Sequence, residues 1–308
     1  MKVVSDRIPS RLNWGKLVVL SPLVWLVCFF LLPAAIILKI SLSQAEIAQP
    51  PYTPVLDFAA GWHGLWIFLS GLSLDNFAAL VTDRLYLASY FQSLEIAAVS
   101  TLILLLIGYP IAYAMARAPR HWQGALLMLV MLPFCTAFLI RVYAWMTILQ
   151  REGVLNQALF ALGIVDAPVV WLASDTAVYI GIVYSYLPFM VLPLYATLAK
   201  IDPVLREAAA DLGCPPWRTF WRITVPLSLP GILAGILLCF IPIVGEFVIP
   251  DLLGGSSTTM IGQTLWTEFF SNRDWPLASA VAIVMLVVLV APIALYQHMQ
   301  ARAIESAR

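Results

Sequence analysis

Apolar residues dominate six long stretches of the chain, and each stretch is long enough to cross a lipid bilayer. The hydrocarbon core of a bilayer takes about 20 consecutive apolar residues in helical form. Several stretches contain proline, which a packed membrane bundle tolerates as a kink. The pattern predicts an all-α polytopic membrane protein with six transmembrane helices. The predicted spans lie at about 17–40, 90–115, 123–149, 175–198, 230–252 and 277–298.

The composition supports a membrane location. Of 308 residues, 62% are hydrophobic and 11% are charged, against roughly 25% charged residues in a soluble globular domain. Basic residues precede the first stretch, as in a secretory signal, but its apolar run is too long for a signal and we interpret it as a span. The four cysteines follow no metal-ligand spacing and suggest no disulfide.

Lysine and arginine are distributed unevenly between the loops. If the N-terminus is cytoplasmic, the cytoplasmic segments hold 12 of the 17 basic residues and five acidic ones, a net charge of +7, and the outer segments carry −7. The positive-inside rule then places both termini in the cytoplasm. This predicts cytoplasmic tails at 1–16 and 299–308 around a membrane domain at 17–298. A negative outer mouth would concentrate cationic solutes; the alternative is that acidic residues occupy positions from which basic ones are excluded.

The outer segment at about 41–86 has two parts. The first part is rich in proline and aromatic residues, from Gln49 to Pro54. The second part, around 72–87, places Leu74, Phe77 and Leu80 at helical spacing, which predicts an amphipathic helix. We interpret the segment as an interfacial element or a contact surface for an external partner, with simple packing over the bundle as the alternative.

A cytoplasmic loop at 200–229, between the fourth and fifth spans, carries strong local signals. Asp202 caps a helix that has Pro203 at its first position, and Gly213 ends that helix. Because the loop has no core of its own, the bulky side chains of a second short helix are best explained by the groove of a partner protein. That helix begins near Pro216 and carries Trp217, Arg218, Phe220, Trp221 and Arg222.

The same loop resembles the EAA loop of ATP-binding-cassette importer permeases. The matching residues are Glu207-Ala208-Ala209, Gly213, Ile223 and Pro226. The resemblance implies the type I importer permease fold and a coupling helix that sits in a cleft of a separate ATPase subunit. The residues then expected to couple to the ATPase are Glu207, Ala208, Ala209, Gly213, Trp217, Arg218 and Phe220.

Further stretches resemble the permeases for putrescine and spermidine. The resemblance implies import of a polyamine across the bacterial inner membrane. The implied partners are a second homologous permease subunit, two ATPase subunits and a periplasmic polyamine-binding protein, with no nucleic acid and no cofactor. Permeases for ferric iron, opines or phosphonates share part of the pattern and remain alternatives. The matching stretches are Asn76-Phe77 with Tyr86, the segment 108–117, Pro133-Phe134, the segment 138–145 and the segment 245–255.

Two charged residues inside the predicted spans indicate a substrate path. Arg141 and Glu246 are predicted at similar depth, roughly 24–27 Å from the inner face, where they could pair. A charge at mid-depth costs at least about 2.5–3.5 kcal/mol, so each needs a partner or water. Our hypothesis is an outer gate in which an arriving ammonium group competes for Glu246; the alternative is a purely structural ion pair.

Aromatic rings near the same outer end are suited to cation–π contacts with an ammonium group, although membrane interfaces are rich in such rings in any case. The path is therefore predicted from the combination of charges and rings. The full set of expected path residues is Glu246, Arg141, Tyr143, Trp145, Tyr184, Tyr186, Glu95 and Asp251.

Other functions lack the residues that they require. An enzyme would need a nucleophile with a base or a metal cluster, but His63, His121 and His298 are scattered over loops and a terminus. No glycine-lysine phosphate-binding loop occurs, so ATP must be hydrolysed by another chain. A secondary transporter or channel, in which Glu246 relays protons, leaves the loop at 200–229 unexplained, and we find no paired inverted repeats in the sequence.

Overall fold

The computed structural model describes residues 14–55, 61–256 and 258–306, and these residues are largely helical. Residues 1–13 of the predicted N-terminal tail lie outside the described residues. Asp57 and Arg308, which the charge count includes, also lie outside them. Two short strands, β1 (Gln44–Ala45) and β2 (Tyr52–Thr53), pair antiparallel. The helices are α1 Trp14–Leu26, α2 Leu32–Ser41, α3 Gly61–Ser70, α4 Asp75–Thr82, α5 Arg84–Arg117, α6 Arg120–Met131, α7 Phe138–Leu149, α8 Val154–Ala161, α9 Asp175–Leu198, α10 Val204–Asp211, α11 Pro216–Thr219, α12 Val225–Val244, α13 Val248–Leu253, α14 Ile261–Trp266 and α15 Trp275–Ser306.

The chain folds as two compact units. One comprises Val81–Thr267, and the other comprises Met1–Leu80 together with Glu268–Arg308. The candidate coupling and path residues all belong to the first unit.

Three long helices, α5, α9 and α12, form the core of the unit Val81–Thr267 and pack against one another. Leu104 on α5, Met190 on α9 and Ile243 on α12 are fully buried in this core. Gly231 allows α12 to approach α9 closely, since a Cβ atom there would lie 2.9 Å from the carbonyl oxygen of Pro193. Small residues at such crossings bring the backbones of membrane helices together.

The third predicted span is not one straight helix. α6 ends in a short 3₁₀ turn at Leu132–Cys135, and the helices on either side of residues 136 and 137 are bent by 86°. Pro133 has no amide hydrogen to donate, and its carbonyl oxygen instead accepts hydrogen bonds from both the amide and the hydroxyl of Thr136. The expectation of a continuous helix over 123–149 is therefore corrected to a broken one.

The fifth predicted span also differs from expectation. Its helix starts earlier, at Pro216, and runs through a π-helical stretch at Phe220–Thr224 into α12. α12 ends at Val244, three residues follow, and α13 begins at Val248. The sequence placed residues 245–247 inside a span, whereas the structure uses them as a break between two helices.

In the second unit, α2 packs against α15, and the β1–β2 ribbon follows α2. Asn76 donates hydrogen bonds to the carbonyl oxygens of Ser41 at 2.9 Å and Ser43 at 2.7 Å. The amphipathic helix expected around 72–87 is represented by α4, which stops at Thr82. The apolar helix α3, which precedes it, was not predicted.

By length and composition, five helical segments in the described part of the chain could cross a membrane, or six if the bent pair counts as one span. This agrees with an all-helical polytopic protein. One of the five is Gly61–Thr82, which the sequence assigned to an outer segment, and the apolar part of α15, Trp275–Val290, is shorter than the others.

Candidate functional site

The predicted coupling helix is formed by α10, and both of its ends follow from local sequence. The carboxylate of Asp202 accepts a hydrogen bond from the amide of Val204 at 3.0 Å. At the other end Gly213 has a φ of +75°, a conformation that glycine adopts without a steric penalty. The amide of Cys214 donates to the carbonyl oxygen of Ala209 at 2.9 Å, which completes a Schellman motif.

One face of this loop is available to a partner. Glu207 and Ala208 are exposed, whereas Ala209 is buried. Trp217 is 63% exposed, and the guanidinium of Arg218 lies over its ring at 5.3 Å. A large exposed ring next to a cation, on a short protruding helix, is typical of a protein-docking surface.

Phe220 does not belong to that exposed surface. Its ring packs edge-on against Tyr109 at 5.6 Å and Tyr113 at 5.4 Å, both on α5. The ring is half-buried and gains these contacts within the bundle, so it is not part of the exposed docking surface, and its role in coupling stays a prediction. It connects the docking loop to α5.

A cavity of about 530 Å³ lies among α7, α9 and α12. Phe134, Phe138, Tyr186 and Phe189 supply aromatic walls, and Arg141 supplies a charge. The remaining wall includes Ser185, Leu237, Leu238, Ile241 and Pro242. The bend after Cys135 places Phe134 and Phe138 at the same cavity, although they lie on opposite sides of the break in the third span.

The carboxylate of Glu246 is buried beside this cavity, with 8% of the residue exposed. The hydroxyl of Tyr186 donates to its Oε2 at 2.6 Å. The amides of Phe247 and Val248 donate to its Oε1 at 3.2 Å and 3.1 Å. The break between α12 and α13 thus presents backbone donors to a carboxylate at the start of a helix, where the helix dipole also favours a negative charge.

Arg141 has a different environment, and the predicted ion pair is not formed. Its guanidinium lies 4.9 Å from the ring centre of Phe134 and 5.6 Å from that of Phe138. The Nε and Nη1 atoms have no hydrogen-bond partner among the described residues, although the residue is only 9% exposed. The pairing fails because Glu246 is engaged by Tyr186 and backbone amides, whereas Arg141 stacks on aromatic rings.

The other expected path residues are dispersed. Trp145 and Tyr184 form an edge-on pair at 5.3 Å. Tyr143 is 52% exposed and lies two residues from Arg141, on the other side of α7. Glu95 is exposed, and Asp251 accepts a hydrogen bond from Gln263 at 3.1 Å. The structure therefore brings together Glu246, Tyr186 and Arg141, and it does not place Tyr143, Glu95 or Asp251 in the wall of the cavity.

Sequence reasoning missed the rings that line the cavity. Phe134 and Phe138 were noticed only as parts of matching stretches, and Phe189 was not singled out. Pro133, next to Phe134, was treated as a tolerated kink, and no periodicity reveals that a broken helix turns rings from both of its halves toward one cavity.

Comparisons with known proteins agree with one another. Residues 17–305 match the family described as binding-protein-dependent transport system inner membrane component. The chain is 36% identical over 296 residues to the spermidine/putrescine transport system permease protein PotB of Haemophilus influenzae, covering 96% of this chain and 95% of that one. It is 39% identical over 249 residues to PotB of Escherichia coli, covering 74% and 90%. A chain of the crystal structure of a bacterial alginate ABC transporter superposes with a TM-score of 0.69 at 19% identity, covering 94% and 95%, a likeness of fold alone.

Proposed function

Since the chain belongs to the family of binding-protein-dependent transport system inner membrane components, we propose that it is a permease subunit of an ATP-driven importer of a polyamine, putrescine or spermidine. Membership of this family confirms the sequence-based assignment to importer permeases and to a multi-pass location in the inner membrane. The family is a transport component, and in this proposal a partner subunit hydrolyses the ATP.

The observation that carries the substrate proposal is the buried carboxylate of Glu246 next to an aromatic cavity. A polyamine has ammonium groups, which suit a carboxylate, joined by methylene chains, which suit aromatic walls. Cation–π attraction adds about 0.5–2 kcal/mol for a cation over a ring. The names of the relatives, spermidine/putrescine permeases, support the same class of substrate.

In this proposal the substrate ammonium approaches Glu246 and donates to the lone pairs of its carboxylate that Tyr186 and the backbone amides leave free. Each carboxylate oxygen accepts more than one hydrogen bond, so the site has capacity left. The rings of Phe134 and Phe138 hold the Arg141 guanidinium, which is itself a cation. The substrate would then replace Arg141 over these rings as the cavity opens.

We further propose that both termini lie in the cytoplasm and that α10 and the exposed Trp217 dock into one of two ATPase subunits. A second, similar permease would complete the path, and a periplasmic binding protein would deliver the polyamine. Closure of the ATPase subunits would shift the docking loop, and Phe220 would pass the movement to α5.

A second candidate is an importer of an anionic solute. It is favoured by one observation, namely the two nitrogen atoms of Arg141 that lack a partner in the cavity. An anion would satisfy them, whereas a polyamine would not. Phosphonate and opine permeases, which the sequence also resembles in part, would belong to this class.

The test is the ATPase activity of the assembled complex in nanodiscs with its binding protein, in the presence of putrescine, spermidine, amino acids, ferric iron or a phosphonate. We expect stimulation by a polyamine. We expect Glu246→Gln to weaken that stimulation about 10-fold or more, because a hydrogen bond to a charged group contributes about 1.5–3 kcal/mol. Asp166→Asn, which removes an exposed carboxylate, should have no effect.

A companion variant, Glu207→Arg, separates coupling from substrate choice. Because Glu207 is exposed on the docking face, we expect the variant to lose stimulation by every substrate. Stimulation by a phosphonate alone would show that the substrate is an anion and not a polyamine. Unchanged stimulation in Glu207→Arg would contradict the assignment of the docking loop.

A further inference from the structure

A second cavity, of about 410 Å³, lies where α5 and α9 end and where α6 begins. Three arginines line it, Arg117 from the end of α5, Arg120 from the start of α6 and Arg206 from α10. The described wall of this cavity contains no carboxylate. It is separate from the aromatic cavity, since the two share no lining residue.

No acidic side chain among the described lining residues balances the positive charges in this cavity. The guanidinium of Arg117 lies over the ring of Tyr113 at 4.0 Å, and Arg120 and Arg206 line the same cavity. Arg117 and Arg120 are exposed and therefore screened by water, but three like charges around one cavity produce a positive potential that attracts an anion.

An independent feature of the same cavity also indicates a ligand. The hydroxyl of Thr224 lines the cavity, and the residue is only 3% exposed, yet its Oγ1 has no hydrogen-bond partner among the described residues. A buried hydroxyl without a hydrogen-bond partner destabilises the folded state. An oxygen-rich anion would accept a hydrogen bond from it.

The rest of the wall is partly rigid and partly apolar. Gln123 is fixed by a hydrogen bond to the carbonyl oxygen of Ala118 at 3.0 Å and by one from the hydroxyl of Tyr195 at 3.2 Å. Leu198, Ile201 and Pro203 supply apolar surface. A charged group could therefore sit at the arginines while an attached apolar portion contacts the remaining wall.

The position of the cavity suits the surface of the membrane. α5 contains 34 residues, which at 1.5 Å each is about 51 Å and exceeds the hydrocarbon thickness of about 30 Å. A helix of this length extends beyond the hydrocarbon, and Arg117 lies just past the predicted span 90–115, which predicts that this end of α5 reaches the headgroups on the side predicted to be cytoplasmic. Anionic lipids of that leaflet attract arginine and bind in basic pockets between helices.

We propose that this cavity binds the phosphate group of an anionic phospholipid headgroup, with free phosphate as the other source of the same chemistry. Arg117 and Arg120 hold the phosphate from the membrane helices, Arg206 holds it from the coupling helix, and Thr224 donates a hydrogen bond. The bound phosphate then ties the coupling helix α10 to the ends of α5 and α6. Coupling between ATP hydrolysis and transport therefore depends on the anionic lipid content of the membrane.

The test uses the assembled complex in nanodiscs of phosphatidylcholine, with and without phosphatidylglycerol, and measures retained lipid by native mass spectrometry alongside stimulated ATPase activity. We expect phosphatidylglycerol to be retained and to raise activity. Each of Arg117→Gln, Arg120→Gln and Arg206→Gln should weaken retention about fivefold, because a basic residue near an anionic surface contributes about 1 kcal/mol. Arg84→Gln, at the opposite end of α5, is the matched control and should change nothing.

Two further arms identify the ligand. In the first arm, inorganic phosphate is added to phosphatidylcholine nanodiscs. If phosphate raises the ATPase activity and the arginine variants abolish this effect, the site exists and its ligand is free phosphate. Thr224→Val should raise the melting temperature without anionic lipid and reduce the stabilisation that phosphatidylglycerol gives. Retention and activity that are insensitive to all four substitutions overturn the proposal. Loss of the ATPase subunit from the arginine variants, whatever the lipid, also overturns it and assigns the cavity to an acidic side chain of that subunit.

Discussion

At the scale of single residues, Arg141 has an incompletely satisfied environment in the aromatic cavity. Its guanidinium is stacked on Phe134 and Phe138, but two of its nitrogen atoms lack partners among the described residues. The sequence predicted Arg141 and Glu246 at similar depth, and it offered their pairing as a hypothesis because depth was the only available criterion. Arg141 contacts Phe134 and Phe138 and not Glu246 because of the bend before α7. The depth of a residue in the membrane does not reveal such a bend.

We expect Arg141→Met to stabilise the isolated subunit. Replacing buried ionic groups by apolar ones of similar volume is often neutral or stabilising by about 1–4 kcal/mol. The measurement is the melting temperature of the purified chain in detergent, with Arg84→Met as an exposed control that should change little. A lower melting temperature for Arg141→Met would mean that the guanidinium has a partner in the folded chain.

At the scale of elements, the break between α12 and α13 determines where Glu246 lies. Gly262 on α14 packs directly on this break, since a Cβ atom there would lie 2.8 Å from the carbonyl oxygen of Glu246 and still closer to that of Gly245. Helix content and the approximate ends of most spans could be predicted from apolar runs. The two breaks could not, because proline and glycine occur in continuous membrane helices as well.

Gly262→Ala should therefore push α14 away from the break and move Glu246. We expect destabilisation of about 1–3 kcal/mol, the usual range for overpacking, together with weaker stimulation by polyamine. Gly124→Ala on α6 provides a control, since no atom lies within 4 Å of the added carbon and the change should be neutral or stabilising. Equal effects of the two variants in thermal-shift and ATPase assays would show that the contact at Gly262 is unimportant.

At the scale of the whole molecule, the docking loop and the aromatic cavity belong to one unit, Val81–Thr267, and are connected by helices. Composition and the EAA-like loop were sufficient to predict a membrane transporter subunit, since both are properties of the linear chain. The role of Phe220 was not predictable, because its contacts with Tyr109 and Tyr113 join segments more than 100 residues apart in sequence.

Two aromatic substitutions in the loop should have different effects. Phe220→Ala should leave the ATPase subunit bound but reduce the polyamine transported per ATP, because the contact with α5 is lost. Trp217→Ala should instead weaken binding of the ATPase subunit, because that ring is exposed on the docking face. Co-purification and transport assays in proteoliposomes distinguish the two. Loss of the ATPase subunit from Phe220→Ala would contradict an internal role for that ring.

The uninterrupted helical run from Pro216 to Val244 has a mechanical consequence. It contains 29 residues and is therefore about 43 Å long. If the helix tilts about its cytoplasmic end, a rotation of about 5° displaces its outer end by about 4 Å. A displacement of that size is enough to break a hydrogen bond. The π-helical stretch at Phe220–Thr224 lies near the cytoplasmic end about which the helix would tilt. The stiffness of this stretch would therefore determine how much of a small cytoplasmic movement reaches Glu246.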